Sequence, residues 1–95
     1  MANKYETIFI INPDLGEEGT AALVTRFKEL IEANGEIESI EEWGRRKLAY
    51  VIDYHEDGYY VKVVFTSKPD FPAELTRVYN ITDGILRSLV VKMEA

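Results

Sequence analysis

Two segments of this chain carry apolar residues at helical spacing, and four others carry them in strand-like runs. Residues 4–11, KYETIFII, are β-branched and aromatic with few helix formers, and Asn12-Pro13-Asp14 stops them, which predicts a strand. Leu23, Phe27, Leu30 and Ile31 then recur at i, i+4, i+7 and i+8, one stripe of an amphipathic helix. Asp14 and Glu17 have the spacing of a capping box, acids at 17 and 18 suit a helix N-terminus, and Asn34-Gly35 marks the end. Residues 36–54 read as one long strand or a strand with a break. Leu48, Tyr50 and Ile52 alternate with Ala49 and Val51, but Ile37 and Ile40 fall on opposite parities. The ladder is therefore expected to slip, with Gly44 as the place for a bulge. His55-Glu56-Asp57-Gly58 reads as a turn in which glycine supplies an easy positive φ. Residues 59–66, YYVKVVFT, form the next strand, antiparallel to the last because the connection is too short for a crossover. Phe71, Leu75, Val78 and Tyr79 repeat the helical stripe over about 70–81, Thr82-Asp83-Gly84 ends it, and 85–93 is a final strand.

The order β-α-β-β-α-β, with right-handed crossovers, predicts an α+β protein with the ferredoxin-like arrangement: a four-stranded antiparallel sheet with both helices on one face. Residues 1–95 suffice for one domain and not for two. A sheet covered on one side only should have a polar open face. This one does not. Tyr59, Val61, Val63 and Phe65 oppose Tyr60 and Val64; Leu86 and Val90 oppose Ile85, Leu89 and Val91; Tyr5 and Phe9 oppose Ile8 and Ile10. Whichever set meets the helices, the other leaves apolar groups uncovered, the pattern of a binding surface.

Charge adds an asymmetry. The net charge is −6, but residues 1–42 hold ten acids against three bases, and residues 43–95 hold seven acids against eight bases. An acidic average argues against indiscriminate nucleic-acid binding, which is mostly phosphate neutralisation. The acids of 36–42 suit a solvated strand face or contact with a basic protein. There is no cysteine, so disulfides and thiolate metal sites are excluded. The N-terminus lacks a signal-peptide pattern, and no apolar run approaches the roughly 20 residues of a membrane span, so a cytoplasmic protein without membrane contact is expected.

Chemistry has little to use. His55 reads as a solvated turn residue, and Asp53 to Gly58 lacks the alternating ligand spacing of a calcium loop. The six glycines form no phosphate-cradling string. The loop NPDLGEEG is acidic and has no arginine, unlike the phosphate loop of acylphosphatase, the small enzyme of this topology. No enzyme, metal, cofactor or small-molecule substrate is expected.

One cluster remains: Arg45, Arg46 and Lys47, between Trp43 and Tyr50. Three cations on a strand can block sheet-to-sheet aggregation. Equally, the planar fork of arginine pairs with phosphate and stacks on bases. Arg87, inside the apolar last strand, is expected at the rim or on the open face, since it cannot sit unpaired in a core. Tyr5, Tyr59 and Tyr60 are further candidates for base stacking.

With these residues in view, the chain resembles the bacterial small-subunit ribosomal protein S-six family. The resemblance rests on Tyr5-Glu6 opening the first strand, Pro13 just after it, WGRRKLAY at 43–50 with Ile52 beyond, the aromatic third strand, and ITDGILRSLVV at 81–91. It implies a non-enzymatic ribosome component that binds the central domain of small-subunit ribosomal RNA as a heterodimer with the basic ribosomal protein S-eighteen. On it, Arg45, Arg46 and Lys47 are the first RNA-contact candidates, Arg87 and Tyr5 follow, and the open face is a candidate protein interface. Val51 stands where many members have proline, and the chain stops at KMEA without the acidic tail of some relatives. The alternative is a homo-oligomeric regulatory or metabolite-binding domain, which would use the apolar face but have no need of GRRK.

Overall fold

In the first strand, β1 (Asn3–Ile11), Tyr5, Thr7, Phe9 and Ile11 are all buried. Successive strand side chains point to opposite faces, so this set marks the covered side of the sheet. The computed structural model describes residues 2–52 and 55–93, with the side chains of 48–52, 55 and 56 outside that description. After β1 come a short 3-10 turn (Pro13–Leu15), α1 (Gly16–Asn34), β2 (Gly35–Ile52), β3 (His55–Ser67), α2 (Phe71–Ile81) and β4 (Ile85–Lys92). The strands lie in the order β2-β3-β1-β4, each antiparallel to its neighbours. This is the expected ferredoxin-like sheet.

Three local expectations change. Asp14 does not cap α1. Instead Asn12 caps the 3-10 turn, its Oδ1 accepting from the Asp14 N–H at 2.8 Å, and Leu15 precedes the helix without a side-chain cap. Pro13 is preset for the first position of a helical turn, so the turn starts one step earlier and absorbs Asp14. The four residues from His55 to Gly58 belong to β3, with Ile52 paired to His55, Lys47 to Asp57 and Arg46 to Gly58. The alternation of Leu48, Tyr50 and Ile52 falls on side chains outside the description. Gly35 ends α1 with an extended backbone, not a left-handed one. Its lack of a side chain matters for another reason: a Cβ there would lie 2.0 Å from the Thr66 carbonyl oxygen.

The strand β2 slips as its parity required. A register shift between Ile37 and Ser39 places Ile37 opposite Phe65 and Ile40 opposite Val63, and both pack on the core. A second shift lies between Glu42 and Gly44, where Gly44 has φ 80.

Both helical stripes seat on the covered face. Phe27 and Ile31 of α1, and Phe71, Leu75, Val78 and Tyr79 of α2, are buried there. Phe9, Phe27 and Tyr79 form a triangle with ring centroids 5.4, 5.3 and 4.5 Å apart, joining β1 to both helices. Such ring pairs contribute about 0.5–1.5 kcal/mol each beyond the area they bury. Behind them, Tyr5 stacks on Phe65, whose ring meets Phe71 edge-on. Inside this apolar layer the Thr7 hydroxyl donates to the Leu89 carbonyl at 2.9 Å and lies 3.0 Å from the Tyr79 hydroxyl. Its one proton is thus used, so Tyr79 is the donor to Thr7.

Replacing Thr7 by valine keeps the shape but leaves the Tyr79 hydroxyl without its acceptor. Urea unfolding of Thr7→Val should show a loss of about 1–3 kcal/mol, and Gly35→Ala a similar loss of about 1–3 kcal/mol from overpacking. Burial pushes the Tyr79 phenol above its usual value of 10.0. An acid whose neutral form is favoured by folding stabilises fully below its unfolded pKa and loses that contribution as pH rises toward the folded value. Stability should therefore fall above pH 10, and Tyr79→Phe should remove that part of the fall in alkaline titrations followed by circular dichroism.

Candidate functional site

The even-numbered residues of β1 and β3 face away from the helices. Register aligns them in rows across the sheet: Gly44, Tyr60, Ile10 and Arg87 in one, Glu41, Lys62, Ile8 and Leu89 in the next, then Ser39, Val64, Glu6 and Val91. Ile8 and Ile10 of β1 with Leu89 and Val91 of β4 thus leave apolar groups on the open face, as the sequence required. Leu89 and Val91 are 54% and 40% exposed. Charges cross its other half. Lys62 lies 3.0 Å from Glu6 and 3.7 Å from Glu41, and Lys4 lies 3.3 Å from Glu38. The hydrogen bond and charge of Glu6, aided more weakly by Glu41, hold the Lys62 ammonium above its ordinary pKa. The acids expected to form a solvated face therefore spend part of their charge on neighbouring lysines.

The cations at 45–47 come together, but they are not equivalent. Arg45, Arg46, Lys47 and Asp57 line one shallow cleft at the hairpin formed by β2 and β3. The bulge before Gly44 resets the alternation of β2. Arg45 pairs with Asp57 and lines a groove with Tyr59, Glu42 and the start of α1, on the helix side. Arg46 sits on the open side, its guanidinium 5.4 Å from the centre of the Trp43 ring. Among the described residues, Arg46 and Lys47 have no ion-pair partner. Asp57 is the residue that sequence reasoning missed, because it was assigned to a turn, not to the rung opposite Lys47.

The other candidates separate. Arg87 is exposed on the open face, in the row of Tyr60 and Ile10. Tyr5 does not reach that face. It is 6% exposed, faces the helices and stacks on Phe65, so the expectation that its ring stacks on a base is corrected. Parity divided β1 into two sets without saying which was covered. Tyr59 also lies on the helix side, where its hydroxyl donates to Glu42 at 2.9 Å; burial first, then this bond, raises its pKa. Of these three candidates, Tyr60 is the one on the open face. Its ring stacks near-parallel on Trp43, centroids 6.4 Å apart.

Among the described residues no group of three or more His, Asp or Glu side chains is placed to hold a metal ion. No described helix is long and apolar enough to cross a membrane. The arrangement offers recognition surfaces: an apolar face, an acid–base ladder and a cationic edge.

Known proteins resemble this chain in sequence and fold. The model of the family described as Ribosomal protein S6 matches residues 4–92. The chain is 52% identical over 91 residues to small ribosomal subunit protein bS6 of Caldanaerobacter subterraneus subsp. tengcongensis, covering 95% of this chain and 96% of that one. It is 50% identical over 92 residues to the bS6 protein of Clostridium perfringens, covering 96% of this chain and 97% of that one. Among solved structures, 30S ribosomal protein S6 from Thermotoga maritima superimposes with a TM-score of 0.92 at 34% identity, covering 98% of this chain and 89% of that one.

Proposed function

The chain belongs to the ribosomal protein S6 family, and we propose that it binds the central domain of small-subunit ribosomal RNA together with the basic ribosomal protein S-eighteen. Membership makes it a protein component of the small ribosomal subunit and not an enzyme. The observation that carries the finer reading is the cationic cleft of Arg45, Arg46 and Lys47 on the edge strand of a chain whose net charge is −6. Folded RNA is held largely through phosphates and shape, and arginine and lysine on a preformed edge serve both. Outside the cluster eight bases face seventeen acids, so a basic protein supplies the remaining neutralisation. The open face suits that protein, with apolar side chains to bury and acids at its flank. Arg87, at the far end of the Tyr60 row, is a second cation for the same RNA. The complex would assemble on the ribosome in the cytoplasm.

Pairing with Asp57 sets Arg45 apart. To bind phosphate, it must first give up a carboxylate, whereas Arg46 and Lys47 have no such carboxylate among the described residues. Binding of a labelled central-domain RNA fragment should require the partner protein. It should weaken when Arg45, Arg46 and Lys47 are all alanine, with a salt slope shallower by about two, roughly one per unpaired phosphate-contacting cation. Asp57→Asn should tighten binding by releasing Arg45. Binding that ignores the triple substitution would make the cluster an edge-protecting device, and absence of binding with and without the partner would refute the reading.

A further inference from the structure

We infer that Arg46, Trp43 and Tyr60 form a seat for one unpaired nucleobase of the RNA, an inference that rests on the RNA-binding reading above. Three observations support it. Trp43 sits at the bulge before Gly44 and is 38% exposed, unusual for the largest side chain in a sheet whose other aromatics are mostly covered. It is also held in a fixed orientation. Tyr60 lies near-parallel to it at 21°, and the Arg46 Nε–H donates to the Trp43 carbonyl at 3.4 Å with the guanidinium 5.4 Å from the indole centre. Finally, the cation of the stack has no ion-pair partner among the described residues, while Arg45 one position away does.

A planar ring, a planar cation and an available positive charge within one stack match the two parts of a nucleotide. The base stacks on an indole or guanidinium plane, and the phosphate meets the charge. The sheet row extends the match. From Tyr60 it passes Ile10 to Arg87, two strands away, or about 10 Å at ordinary strand spacing. Cations therefore stand on both sides of the ring platform, as a strand of RNA crossing the sheet end would require. An edge built only to repel other sheets needs the charges but not the rings. A protein partner has better purchase elsewhere, since the exposed aliphatic side chains Leu89 and Val91 lie on β4 beside Ile8 of β1, whereas the stack lies on β2 and β3. Stacking has no base preference of its own, so the seat selects an unpaired base and not a particular one.

Trp43 is the only tryptophan of the chain, so its emission reports on this seat alone. The test is a titration of the protein, with its basic partner already bound, using a central-domain ribosomal RNA fragment. Trp43 emission is followed alongside retention of labelled RNA. The expected result is quenching of Trp43 with the same midpoint as RNA binding. Trp43→Ala should weaken binding about tenfold, and Trp43→Phe, which keeps a ring, by less than about threefold. Trp43→Phe also guards against a folding defect, and unfolding curves of both variants are compared with the parent. RNA binding with unchanged emission and an unaffected Trp43→Ala variant would overturn the seat and leave the RNA-binding reading standing. Emission that responds fully to the partner protein and not further to RNA would overturn it by giving the stack to the protein interface. No RNA binding by the parent protein would remove both.

Discussion

Every exposed feature of this molecule follows from the contact that holds both helices on one side of the sheet. Phe9 of β1 meets Phe27 of α1 and Tyr79 of α2, and the two helical rings meet each other at 4.5 Å. Thr7, two residues along the same strand face, anchors the Tyr79 hydroxyl and bonds across to β4. Once these groups are together, the face carrying Tyr5, Phe9, Val61, Val63 and Phe65 has its cover. The opposite face has none, because the described residues form no third helix to supply it. The apolar surface there is therefore a consequence of topology, and only its composition is a choice of sequence. With Leu89 and Val91 in place of polar residues, it becomes a surface that association with a partner can bury.

The second constraint is the bulge in β2. In an unbroken strand, Trp43, Arg45 and Lys47 would share one face, and Arg46 would stand alone on the other. The shift at Gly44 brings Trp43 and Arg46 to the open side with Tyr60 and leaves Arg45 with Asp57 toward α1. Gly44 is well suited to this role, since its φ of 80 is a conformation that most residues adopt only with strain. A single backbone irregularity thus divides one run of like charges into a member paired with Asp57 and two with no ion-pair partner among the described residues.

Much of this was legible beforehand. Helical stripes, strand order, the slip in β2 and the bulge at Gly44 follow from periodicity and from the opposed parities of Ile37 and Ile40. What failed depended on information that periodicity does not contain. Alternation in β1 separates Tyr5 from Ile8 but does not say which set meets a helix; Tyr5 went to the core. Asp14 had the spacing of a cap, but Pro13 began a turn before it. Asp57 lay in a string of polar residues typical of turns, and its pairing with Arg45 arises only because the β2–β3 ladder continues past Gly58. Of the candidate surface, the presence of cations and of an apolar face was readable. Their division between two sides of the sheet was not, because it depends on register.

The central claim is that the open face and the β2 edge are the working surfaces and that the helices only support them. Methyl and indole NMR of the protein in complex with its basic partner and the RNA fragment tests this most directly. The account predicts large shifts for Ile8, Leu89, Val91 and the Trp43 indole, with Leu23 and Leu30 at the helix side nearly unchanged. Shifts concentrated on the helix side, with the open-face methyl groups unmoved, would contradict it.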